Sequence, residues 1–113
     1  MISLSERKFQ SALDMAVADL SDELKTCLKD IDIIVSEIGE KSDLLGTNLE
    51  EELDLLSLYE AVPTSIAYHN DTNLRGQLTL FKMALEKICE EESDLVPQLT
   101  IILEEELSYK PTL

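Results

Sequence analysis

The sequence predicts an α+β fold, a small and mainly three-stranded sheet with helices on one face. Two observations carry that expectation. Apolar residues recur at three- and four-residue spacing near both ends of the chain, and the period changes to that of a strand at Ile31, Leu55 and Leu78. Length adds a third. A chain of 113 residues suits one domain over positions 1–113 and has too few helices to cover both faces of a sheet.

The elements follow in order. Ser3 with Glu6 forms a capping-box pattern, and Phe9, Leu13, Ala16, Val17 and Leu20 then make the buried stripe of a first helix. Ser21, Asp22 and Glu23 supply a second cap with early acids, and Leu24, Cys27 and Leu28 extend an apolar face to about Lys29. Residues 31–38 are rich in β-branched side chains, with Ile31, Ile33 and Val35 on one side, so they read as a strand that Gly39 ends. Residues 40–54 read as an acidic loop, with a helical turn near 49–53. Residues 55–59 form a second strand, and Pro63 stops whatever precedes it. Residues 64–76 are rich in Asn, Asp, Thr and Ser and read as a long loop. Residues 77–82 form a third strand, and Met83, Ala84, Leu85, Ile88 and Cys89 mark a short helix leaving it. After the acidic link at 90–94, Ser93 or Asp94 can cap the final helix, 94–109. Pro97 falls in its first turn, where a missing N–H costs nothing, and Leu95, Leu99, Ile102, Leu103 and Leu107 line one face.

Composition narrows the function. Hydrophobic residues at 44% support a folded core, and aromatics at 4% leave Leu and Ile to build it. The formal charge of -15 repels phosphate backbones and anionic head groups, so nucleic acid and membrane surfaces are not the expected partners. The expected partner is another protein with a basic patch. With no long apolar segment and no leader-like N-terminus, a cytoplasmic setting is expected. Cys27 and Cys89 stand far apart, without the spacing of a redox or metal pair, and His69 is the only histidine.

The final helix holds the one stretch with chemical meaning, Leu103-Glu104-Glu105-Glu106-Leu107. The zinc motif H-E-x-x-H places two imidazoles one helical turn apart, with a Glu beside the first to activate metal-bound water. This stretch keeps the Glu in that frame and has Leu at both imidazole positions. By itself, Leu at that spacing around glutamates is an ordinary amphipathic helix.

Three pieces give it context. Leu55-Leu56-Ser57-Leu58-Tyr59-Glu60-Ala61-Val62-Pro63 resembles an L-L-G-L-Y-x-G-x-P segment, and Gln77-Leu78-Thr79-Leu80-Phe81-Lys82 resembles an R-I-T-L-Y-R strand. Thr100-Ile101-Ile102-Leu103-Glu104 falls on T-V-x-H-E, with Leu107 on the second His. In that order they are similar to the small bacterial zincin-like metallopeptidase family, and the first helix and the 31–38 strand fit its N-terminal layout more loosely. Ser57 and Ala61 stand where that pattern has glycines, and Leu107-Ser108-Tyr109-Lys110 stands where it has H-H-F-G.

The resemblance implies a minimal zincin-like fold whose motif is vestigial at Leu103, Glu104 and Leu107. Leu has no lone pair, and Glu104 without metal-bound water has nothing to activate. The few residues after Leu107 leave little room for a third ligand. The expected chain is catalytically inactive, holds no metal or other cofactor, and acts as a protein-binding or scaffold protein. Two alternatives stand beside it. One is an acidic α+β interaction module unrelated to peptidases. The other is a residual metal-dependent hydrolase drawing on Ser65, His69, Ser108 or acid clusters such as Glu50-Glu51-Glu52 and Glu90-Glu91-Glu92, which are ordinarily just solvated.

Overall fold

The structure is a computed structural model that describes residues 1–63 and 74–108. Those residues form four α-helices and one three-stranded sheet: α1 (Glu6–Ala18), α2 (Asp22–Cys27), β1 (Ile31–Ser36), β2 (Ser57–Pro63), β3 (Leu74–Phe81), α3 (Lys82–Ile88) and α4 (Leu95–Ser108). The strand order is β1-β3-β2, with β1 parallel and β2 antiparallel to β3. The α+β expectation is borne out. No helix among the described residues is long and apolar enough to cross a membrane.

The two helical stripes pack as their spacing dictates. Phe9, Leu13 and Ala16 of α1, with Leu20 after it, meet Leu95, Leu99, Ile102, Leu103 and Leu107 of α4 in one core. Leu78 and Leu80 of β3 and Ile31 of β1 close that core from the sheet side, with Ile33, Val35 and Tyr59 packed at its edge. Leu24, Cys27 and Leu28 lie half-buried against the same core. On the other face Leu55, Phe81 and Ala84 form a smaller cluster with Leu44, Leu56 and Leu58.

Several boundaries differ from the sequence expectation. Ser5, not Ser3, caps α1, its hydroxyl accepting from the Lys8 N–H at 3.2 Å. Ser3 lies in the segment that pairs with α3, where the Ile2 N–H donates to the Glu86 carbonyl at 3.1 Å. Ser21 caps α2 as expected. β1 ends at Ser36, because beyond it the Glu37 carbonyl accepts from the Met83 N–H at the start of α3. The acidic loop holds two short 3-10 turns, Lys41–Leu44 and Glu52–Asp54, rather than one turn at 49–53. β2 starts at Ser57, two residues later than expected, since Leu55 turns into the second cluster. β3 starts at Leu74, three residues earlier, since residues 74–76 pair with residues 61–63 of β2. Just before α4, the Ser93 hydroxyl donates to the Glu91 carboxylate at 3.5 Å. The Asp94 carboxylate turns back to accept the Glu90 and Glu91 N–H groups.

Two contacts explain local sequence choices. A Cβ at Gly76 would run into the Tyr59 hydroxyl, so glycine there lets the Tyr59 ring lie across β3 beside Ile31. Lys82 and Glu86, one helical turn apart on α3, form an ion pair at 3.1 Å with only 9% and 7% of their side chains exposed. Glu86 also accepts the Leu4 N–H at 2.6 Å, which ties the N-terminal segment to α3.

Candidate functional site

The candidate site is built on α4, which packs against α1, α2 and α3. Its outward residues Ile101, Glu104 and Glu105 are exposed, while Leu99, Ile102, Leu103 and Leu107 are buried. This is the 3.6-residue period at work: positions three and four apart share a face, and the residue after each falls about 100° round.

The geometry at the motif frame is therefore explicit. Leu103 is 0% exposed and Leu107 4%, both inside the core that Leu78 and Leu80 of β3 help to close. Glu104 is exposed to solvent and Glu105 beside it as well. Glu106 differs: it is half-buried and its Oε1 accepts a hydrogen bond from Ser57 Oγ on β2 at 3.2 Å. The contact crosses from the final helix to an edge strand, at a position where the resembling pattern has glycine. Sequence reasoning missed it, because nothing local links residues 57 and 106.

A catalytic zinc needs three protein ligands and an open position. Leu103 and Leu107 offer hydrocarbon at a closed surface, so these two positions do not fit the metal. Among the described residues no group of three or more His, Cys, Asp or Glu comes together as a metal site. Cys27 is half-buried and Cys89 buried, both as free thiols. Burial pushes the Cys89 thiol pKa up, which keeps it protonated and poorly nucleophilic. Glu50 and Glu51 are exposed, Glu52 is half-buried, and Glu90, Glu91 and Glu92 are exposed. Ser108 is exposed at the end of α4. Ser65, His69 and Tyr109 lie outside the described residues.

A second polar cluster went unread in the sequence, although its signal was present. Lys82 and Glu86 have the helical i, i+4 spacing of an ion pair, which is ordinarily a surface feature. Here both are enclosed, because the N-terminal segment folds over α3.

The sequence model of a family described as zincin-like metallopeptidase matches residues 28–109. No curated protein sequence matches the chain. The match takes in β1, β2, β3, α3 and α4, including the Leu103-Glu104-Glu105-Glu106-Leu107 frame, and leaves out α1 and all but the last turn before β1. It covers well over half the chain and reaches further toward the N-terminus than the three motif-like pieces do. The chain belongs to the zincin-like metallopeptidase family.

Proposed function

We propose that this chain is a zincin-like domain without peptidase activity that works by binding another protein. The observation that carries the reading is the enclosure of Leu103 and Leu107 in the core, at the two positions where the zinc motif requires imidazoles. Filling these positions with leucine exchanges metal coordination for apolar burial, about 1.5–3 kcal/mol for each fully covered side chain. The motif is then vestigial at Leu103, Glu104 and Leu107, and Glu104 is a solvated carboxylate with no metal-bound water to deprotonate.

The formal charge of -15 supports a partner with a basic patch, drawn in by steering, and disfavours nucleic acid and anionic membranes. The whole of residues 1–113 acts as one domain in this reading, in the cytoplasm.

Metal analysis and a peptidase assay test the first half, on protein purified without added zinc or a metal-affinity step. The expected result is no stoichiometric zinc and no cleavage of unstructured peptides. About one zinc per chain, lost on mutating His69 or a cysteine, would overturn it. Pull-downs at low and high salt test the second half. A partner released by salt is expected, and one held equally well at both salts would argue for an apolar interface instead.

A further inference from the structure

The ion pair on α3 borders open space on two sides. One cavity of about 250 Å³ is lined by Glu6, Phe9 and Gln10 of α1, by Val35 and Glu37 at the end of β1, and by Lys82. A second, of about 510 Å³, shares Glu37 and Lys82 and continues past Met1, Ile2, Ser3, Met83 and Glu86. The two form a groove that passes over Lys82. It lies at the carboxyl ends of the parallel pair β1 and β3, where the chain leaves one strand for the acidic loop and the other for α3.

Its chemistry is specific. Lys82 carries three N–H donors, and among the described residues one of them is used, on Glu86. A largely enclosed ammonium with donors to spare calls for a further acceptor. Glu86 pairs with Lys82, so the unpaired charges along the groove are the Glu6 and Glu37 carboxylates, both exposed, against the Met1 amino terminus in the second cavity, and the balance is negative. Half-buried Val35 and the edge of the buried Phe9 ring line the same cavity as its apolar part. The first cavity, of about 250 Å³, has the scale of one long side chain, and the second continues the groove for the backbone on either side of it.

We propose that this groove docks a basic peptide segment of the partner. An arginine or lysine side chain lies along Phe9 and Val35 with its cationic head between Glu6 and Glu37, and a neighbouring peptide carbonyl accepts from Lys82. The proposal rests on the reading of the chain as a protein-binding domain, and it names the site of that binding.

The test is a titration of the isotope-labelled full chain with a blocked Gly-Arg-Gly peptide, followed by backbone amide shifts. A citrulline peptide of the same shape but no charge, and magnesium chloride at matched ionic strength, are run beside it. Saturable shifts are expected at Glu6, Gln10, Glu37 and Lys82, with little response to citrulline or magnesium. Glu37→Gln, an exposed change that leaves the core intact, is expected to weaken binding about two- to fivefold, the loss of one exposed charge pair. Shifts that do not saturate, that centre on residues 50–52 or 90–92, that citrulline or magnesium reproduces, or that Glu37→Gln leaves unchanged would overturn the groove. A salt-sensitive partner that binds Glu37→Gln as well as it binds wild type overturns the groove alone. Zinc or peptide cleavage in the wild type overturns the binding-domain reading and leaves the arginine titration to stand by itself.

Discussion

Replacing Leu103 and Leu107 with histidine puts the imidazoles of the zinc motif back at their two positions, and the structure sets what that should do. Both leucines are enclosed, at 0% and 4% exposure. Removing each forfeits about 1.5–3 kcal/mol of apolar burial. Each imidazole also brings a polar group into the core, at about 1–3 kcal/mol if unmet. The pair is then expected to cost about 5–12 kcal/mol, against a total stability of about 6–17 kcal/mol at typical values per residue. The double variant without metal should be marginal, so the readout is the thermal midpoint by circular dichroism, started cold. Zinc at a hundred times its dissociation constant should return about 2.7 kcal/mol by binding the folded state. At about 3–6 °C per kcal/mol for a domain of this size, the midpoint rises by roughly 8–16 °C. Wild type should not respond. Peptide cleavage should stay absent, since two imidazoles fall short of three protein ligands. A double variant that melts with wild type would refute the claim that these leucines are core. A variant that loses stability but ignores zinc would refute the claim that the two positions are poised as a ligand pair.

Three further outcomes are expected. Glu86→Ala leaves Lys82 enclosed without its counter-charge and the Leu4 N–H without its acceptor, and should cost about 3–5 kcal/mol in urea unfolding. Gly76→Ala drives a methyl group into the Tyr59 hydroxyl and should cost about 1–3 kcal/mol, with partial recovery in the Gly76→Ala/Tyr59→Phe double variant; equal losses in both would place the strain elsewhere. The Arg75 guanidinium, hydrogen-bonded at 2.9 Å, holds the Asp32 carboxyl below its ordinary range. Asp32 is therefore expected to stabilise the β1–β3 edge at pH above the ordinary aspartate range and to lose that contribution as pH falls through its lowered pKa. Asp32→Asn should flatten the acid limb of the stability curve, and added salt should do the same to wild type because the pair is exposed.

Periodicity read along the chain determined the helices and their buried faces. Phe9, Leu13, Ala16 and Leu20, and likewise Leu95, Leu99, Ile102, Leu103 and Leu107, are all buried, since helical spacing is a local property that sequence carries directly. The one-sided alternation at Ile31, Ile33 and Val35 was legible for the same reason. The Leu-for-His exchange at residues 103 and 107 was also plain from sequence, because the motif is local to one helix.

Tertiary structure decided what depends on distant partners. Strand ends are set by pairing, so Leu55 and Leu56 left the expected strand for the second cluster, and residues 74–76 joined β3 against residues 61–63. The glycine-ended stretch at 74–76 looked like loop because the Tyr59 ring that requires Gly76 comes from another strand. Ser57 meets Glu106 only across the fold, and Lys82 with Glu86 becomes a buried pair only when the N-terminal segment closes over α3. The physical reason is the same in each case. Helical spacing is fixed by backbone geometry within a few residues, whereas register, burial of charge and the groove over Lys82 are fixed by which distant surfaces come together.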